Sequence, residues 1–351
     1  MFTSIFFLGG FFLSIPMGWL VDCLGVYWTL AIGQFIVGAS VILVSFANSF
    51  MMVCICLFIA GMGYSTINPA TGKAVMAWFP RKNRATVMGV KQTGIPIGGL
   101  LAAATLPTIA LILNWRKAFI ISGTISLFSV LLFLIFYKEF KEEKSQSEVQ
   151  PLHPSSLWGV FKNRELMILS FLVIIFMALQ QSLGAYLVLF CSDSLHFPVI
   201  KSGYFLSLAH FGGATGRLVW GPISDFFFGG RRKVVLMMIG SLSFMVCLSF
   251  AILPVSILAR LIVFFVFISG FCMIGWNGIY LTLVVELVGQ NRAGVATGIS
   301  IFIGSLGMVL GPPFFGYIVD ATNSFSYAWF IFSIMIGLAT PCLQLIREPR
   351  S

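Results

Sequence analysis

Residues 202–233 read SGYFLSLAHFGGATGRLVWGPISDFFFGGRRK. Apart from His210 and Arg217, the part from 202 to 222 is apolar, aromatic or small. That is long enough for one α-helix to cross about 30 Å of hydrocarbon. Gly221-Pro-Ile-Ser-Asp225 ends the helix, and Gly229-Gly-Arg-Arg-Lys233 follows it. A guanidinium inside such a span is costly and normally faces a cavity or a partner, which makes Arg217 the most informative charge in the chain.

The same reading extends in both directions. Apolar stretches lie near 2–21, 27–46, 50–72, 87–111, 117–137, 166–190, 202–222, 234–253, 258–283, 294–318 and 325–345. The 351 residues are 59% hydrophobic and 9% charged, with a mean hydropathy of +1.01. A soluble fold of this length cannot hide so much apolar surface, so the surplus must face lipid. The short alternating segments of a β-barrel are absent. The first span lacks the basic flank and cleavage site of a signal peptide.

The net charge of +10 does not indicate a nucleic-acid partner, because the positives are scattered over loops between apolar spans. The seven cysteines (Cys23, Cys54, Cys56, Cys191, Cys247, Cys272, Cys342) read as small buried hydrophobes. With only His153, His196 and His210 to join them, no cluster has metal-ligand spacing, and no metal or cofactor is expected.

One long polar stretch, Lys138 to Arg164, separates two blocks: a first bundle over 1–137, a linker over 138–165 and a second bundle over 166–351. If that linker and the loop at 79–86 are cytoplasmic, fourteen of the 21 Lys and Arg lie on the cytoplasmic side. Arg116, Lys117, Lys201 and Arg260 lie on the outer side. This bias places the linker and the C-terminus in the cytoplasm of a multi-pass cell-membrane protein.

The blocks repeat each other. Gly18-Trp-Leu-Val-Asp22 ends a helix as Gly221-Pro-Ile-Ser-Asp225 does, and Asn83-Arg84-Ala85 opens one as Asn291-Arg292-Ala293 does. The offsets are 203 and 208 residues with the order kept. The helix starting near Leu166 has no counterpart before Asp22. The chain therefore reads as about 11 membrane helices with the usual first one missing, through a shortened N-terminus or a natural short form.

These features resemble the major facilitator superfamily over nearly the whole chain. Gly18, Leu20, Asp22 and Gly25 match its pattern after the second helix, with Cys23 where an arginine belongs. Gly221, Asp225 and the basic run to Lys233 keep the second copy better. The stretch YSTINPATGKAVMAWFPRKNRATVMGVKQTGIPIGG (64–99) and Asn114-Trp115-Arg116 look closest to the organic-anion branches: cyanate-permease-like proteins, oxalate–formate antiporters and anion–cation symporters. The resemblance implies an all-α fold of two pseudo-symmetric bundles that works by alternating access.

It also implies roles. Asp22 and Asp225 become gate carboxylates, with Arg84 and Arg292 as partners by position and Arg231 and Arg232 beside them. The alternative is that all are ordinary juxtamembrane charges. Arg217, one turn before Gly221, becomes the contact for a substrate carboxylate, whose two oxygens suit the guanidinium fork. The competing role is pairing within the gate. His210, two turns away on nearly the same face, is a proton carrier or a satisfied core histidine. Tyr64, Asn68, Gln180, Gln181, Tyr186, Trp276, Asn277 and Tyr280 lie on helices that line the central cavity in the family. Lys73 and Lys91 snorkel to the interface or draw anions inward.

The expected function is secondary active transport of a small organic anion. The chain would act as a monomer in the bilayer, with a coupling proton or a counter-anion. The alternatives are transport of a drug, sugar or amino acid, or a shortened form with impaired transport. A membrane enzyme would show paired acids or another polar catalytic cluster, and none is present.

Overall fold

The computed structural model describes residues 2–78, 84–137, 163–288 and 293–348. It gives only the backbone for 14–16, 18–19, 22–23, 76–77, 84–86, 88–89 and 293–295. The side chains of Asp22 and Arg84, all of Arg292 and most of the 138–165 linker thus lie outside the described residues.

The regular elements among the described residues are all helices, with no strand. The helices are α1 (Phe2–Val44), α2 (Phe50–Tyr64), α3 (Ile67–Trp78), α4 (Arg84–Leu113), α5 (Trp115–Phe136), α6 (Arg164–Leu189) and α7 (Val199–Pro222). They continue with α8 (Arg232–Ile252), α9 (Val255–Met273), α10 (Asn277–Val288), α11 (Ala293–Thr322) and α12 (Phe325–Cys342). In hydrocarbon every backbone N–H and C=O must be satisfied within the segment, which is why runs of this composition become helices. Among the described residues, nine helical runs are long and apolar enough to cross a membrane. The first part of α1 is a shorter apolar run. Helix α7 is long enough, but Lys201, His210 and Arg217 dilute its apolar character. Counting both gives about eleven passes.

Residues Met1–Gln92 with Leu106–Val149 form one compact unit, and Thr93–Thr105 with Gln150–Ser351 form another. In the first, α1 is two helices joined at Gly25, whose φ of 77° and ψ of 173° suit only glycine. Thr29 Oγ1 donates to the Gly25 carbonyl at 2.7 Å, holding the bend. The second part of α1 is tied to α5 by Gln34 Nε2 donating to Ser126 Oγ at 3.0 Å. Gly25→Ala should therefore lower the unfolding free energy by about 1–3 kcal/mol. A thermal midpoint in detergent equal to that of the wild type would show that the bend is not needed.

The second unit holds the larger core. Trp276, Tyr280, Phe190, Phe250, Phe315 and Trp329 are fully buried there. Phe315 meets Trp329 edge-on with ring centroids 4.8 Å apart. Between membrane helices, close packing of small residues replaces the hydrophobic drive available in water. On α9, a β-carbon at Gly270 would stand 1.7 Å from the Ala209 carbonyl oxygen of α7. One turn along α7, a β-carbon at Gly212 would stand 2.3 Å from the Phe267 oxygen. Backbone lies on backbone at this crossing, and it carries α7, with Arg217, up to the break after α9. Of the cysteines, Cys54, Cys56, Cys191, Cys247 and Cys272 are buried as expected, whereas Cys342 is exposed.

Candidate functional site

The site in the second unit begins with an interruption. Helix α9 stops at Met273 and α10 starts at Asn277, with the N–H groups of Ile274 and Gly275 both turned onto the Gly270 carbonyl at 3.0 and 3.2 Å. Carbonyls at a helix end have lost their partners four residues on and need other donors. The Ile274 carbonyl takes two: Arg217 Nε and Asn277 Nδ2, each at 3.2 Å. Glycines admit this contact, since a β-carbon at Gly216 would stand 2.3 Å from the Phe271 oxygen and 3.1 Å from Gly275 Cα.

A second layer fixes the break. Gln180 Oε1 on α6 accepts from Trp276 Nε1 at 3.0 Å and from Asn277 Nδ2 at 3.1 Å. Arg217, Gln180, Trp276 and Asn277 therefore form one connected group around unwound backbone at membrane depth, with the N-terminus of α10 among them. Irregular backbone at that depth is tolerated where it is buried in protein or lines a cavity. The positive end of a half-helix beside a guanidinium favours a negatively charged ligand group.

The other expected lining residues have different surroundings. Trp276 and Tyr280 are 0% and 1% exposed. The Tyr280 hydroxyl bonds Ser300 Oγ, which in turn meets Ser170 Oγ at 2.7 Å. That chain of hydroxyls clamps α6, α10 and α11 together and had no sequence signal beyond single small polar residues. Tyr186 stacks on Phe315 at 4.8 Å, and Gln181, five residues earlier on α6, is half-buried. The His210 ring lies on Gly99, where a β-carbon would come within 2.5–2.7 Å of three ring atoms. One turn away, Ser207 Oγ donates to the Leu100 carbonyl at 2.9 Å. In the first unit, Lys91 Nζ donates to Asn68 Oδ1 at 3.2 Å and Lys73 Nζ to the Val21 carbonyl at 3.5 Å. Tyr64 packs on Phe6 with centroids 5.3 Å apart.

At the end of α7, Asp225 pairs with Arg232 at 2.5 Å, and Arg232 also reaches Glu286 at 3.3 Å. The intervening turn makes this possible. Gly229 and Gly230 have φ of 57° and 78°, and the Gly230 N–H donates to the Ser224 carbonyl at 2.8 Å. The chain folds back and brings the start of α8 onto Asp225. Arg231 is exposed on this turn. Lys233 continues the cluster, its backbone N–H on Glu348 Oε1 at 3.2 Å and its Nζ on the Ile346 carbonyl at 2.9 Å. Position along the chain puts Arg232 near Asp225, whereas Glu286 and Glu348 join this cluster only through the fold.

Comparison with known proteins agrees with this architecture. The chain is 28% identical to the hexuronate transporter of Bacillus subtilis strain 168 over 330 residues, covering 88% of this chain and 75% of that one. It is 25% identical to the probable sulfoacetate transporter SauU of Cupriavidus necator, covering 93% and 79%. It is 23% identical to the probable L-galactonate transporter of Escherichia coli K12, covering 99% and 80%. Among solved structures, the nucleoside transporter NupG superposes with a TM-score of 0.80 at 15% identity, over 99% of this chain and 90% of that one. The fucose:proton symporter FucP of E. coli gives 0.69 at 17% identity, over 99% and 90%. The profile of the Major Facilitator Superfamily matches residues 1–312. The chain belongs to the Major Facilitator Superfamily, as a multi-pass membrane protein for secondary transport of a small solute.

Proposed function

We propose that the solute is a small organic anion and that its carboxylate is received by Arg217. The observation that carries this reading is the placement of the Arg217 guanidinium by the Ile274 carbonyl. It lies beside Asn277 and the N-terminus of α10, within a membrane-spanning region. A guanidinium matches a carboxylate with two parallel hydrogen bonds. The names of the relatives support the same class, since hexuronate, galactonate and sulfoacetate all carry a carboxylate. Purified protein should bind D-glucuronate, D-galactonate or sulfoacetate saturably and show no saturable binding of D-glucose. Saturable glucose binding with no response to any of the three anions would reject the carboxylate reading.

In this proposal the solute is carried by alternating access. The linker over 138–165 and the C-terminus face the cytoplasm, as the basic bias indicates. A membrane-impermeant thiol reagent added to intact cells should leave a cysteine placed at Ser351 unlabelled. Labelling would reverse the orientation. The coupling partner is a proton on His210 or a second anion exchanged on Arg217. Uptake driven by an imposed pH gradient selects the first, and uptake driven only by internal anion selects the second.

The Asp225–Arg232–Glu286 cluster acts as a gate in this reading. Asp225 is exposed, so its pairing contributes little to stability. Arg232→Gln should leave substrate affinity within about twofold of wild type, equivalent to roughly 0.4 kcal/mol, while changing the exchange rate. A parallel fall in affinity would place the cluster in the binding site instead.

A further inference from the structure

Helices α8 and α12 pack closely in the second unit, with a groove of about 390 Å³ beside the contact. Met237, Ser241 and Phe244 line it from α8, and Gly337, Leu338, Pro341 and Gln344 from the α12 side. The Phe244 ring packs against α12 here: a β-carbon at Gly337 would lie 2.9 Å from Phe244 Cδ2. Pro341 has no N–H to return to the Gly337 carbonyl, so the helix ladder is interrupted along this wall. Both α8 and the 325–345 run are long and apolar enough to cross a membrane. The groove therefore opens at hydrocarbon depth, and its walls are apolar apart from small or amide groups.

Its charge is gathered at one end. Positions 233, 237, 241 and 244 fall on one face of α8, so Lys233 stands one turn beyond Met237 in the line of the groove. Lys233 Nζ donates to the Ile346 carbonyl at 2.9 Å, which places it next to exposed Arg347. Exposed Arg231 lies two residues before Lys233. Of the acids nearby, Asp225 and Glu286 share Arg232, and Glu348 accepts from the Lys233 backbone N–H. The four basic groups Arg231, Arg232, Lys233 and Arg347 outnumber these three carboxylates, so the end of the groove keeps one net positive charge. An apolar channel at acyl-chain depth that ends in clustered basic side chains complements a molecule with a hydrocarbon tail and an anionic head.

We propose that this groove binds one anionic phospholipid. Its acyl chain lies along Met237, Ser241, Phe244 and Leu338, and its phosphate meets Lys233 and Arg347. This site is separate from Arg217 and does not depend on which solute is carried.

Native mass spectrometry of the full chain, released from micelles holding equal dioleoyl-phosphatidylglycerol and dioleoyl-phosphatidylcholine, tests the assignment. Wild type should retain one phosphatidylglycerol in preference to phosphatidylcholine. The preference should be about fivefold for each basic group engaged, the ratio equivalent to about 1 kcal/mol. Ser241→Trp, at an exposed lining position, should displace the retained lipid. Lys233→Gln with Arg347→Gln should abolish the preference while a lipid is still retained, and it decides the matter if the tryptophan variant does not fold. Equal retention of the two lipids by wild type would overturn the proposal, as would an undiminished preference in the charge variant.

Discussion

Replacing Arg217 by alanine should weaken binding of the transported carboxylate ten- to about a hundredfold. A hydrogen-bonded charge pair contributes about 1.5–3 kcal/mol, and each 1.4 kcal/mol is a factor of ten in Kd. Lysine keeps the charge but loses both the planar fork and an Nε to give to the Ile274 carbonyl. Arg217→Lys should therefore recover only part of the loss. Equilibrium binding to the three purified, monodisperse proteins separates the two roles open to this side chain. A ligand to the substrate loses affinity on replacement, whereas a residue acting through the Asp225 gate changes exchange rate at constant affinity. Wild-type affinity in both variants would remove Arg217 from the binding site.

Gly270→Val should be the most damaging single substitution for folding. Its β-carbon would be placed 1.7 Å from the Ala209 carbonyl oxygen. That atom is backbone in the middle of α7, so no rotamer change relieves the overlap and the two helices must separate. Overpacking that moves backbone costs about 3 kcal/mol or more, and separation also pulls Arg217 away from Ile274. The expected result is a large fall in the thermal midpoint or failure to accumulate in the membrane. Gly184→Ala is the matched control, since nothing lies within 4 Å of its added β-carbon. It should leave the midpoint unchanged or raise it. Wild-type stability of Gly270→Val would mean that α7 and α9 are not in backbone contact.

The helices were legible because the bilayer leaves a chain of this composition no other way to satisfy its backbone. The repeat of Gly18–Asp22 in Gly221–Asp225 was legible too, and both copies run into turns with positive-φ glycines, at Gly25 and at Gly229–Gly230. The interior arrangement was not. The run 258–283 shows no proline, yet the structure interrupts it at 274–276. The interruption depends on Gly270, Gln180 and Arg217, which come from three helices. Arg232 as the partner of Asp225 depends on how the turn after Asp225 folds back, which spacing along the chain does not give.

Trp276 and Tyr280, candidates because their helix lines the central cavity in the family, are fully buried, and nothing in their local sequence announces that burial. A membrane helix is apolar on all sides, so it lacks the polar face that tells core from surface in a soluble helix. The seat of His210 on Gly99 pairs positions 111 apart in the chain and had no local signal. Arg217 stood out for the opposite reason: a charge inside an apolar run is visible without any knowledge of its neighbours.

Transport through Arg217 can be followed by counterflow in proteoliposomes. Vesicles preloaded with unlabelled D-glucuronate, D-galactonate or sulfoacetate are diluted into a trace of the same labelled anion. Parallel vesicles carry D-glucose. Label should accumulate transiently above equilibrium for at least one of the anions and not for glucose, and that overshoot should be lost in Arg217→Ala. Overshoot with glucose and not with the anions, or anion overshoot unchanged in Arg217→Ala, would contradict carboxylate transport through Arg217.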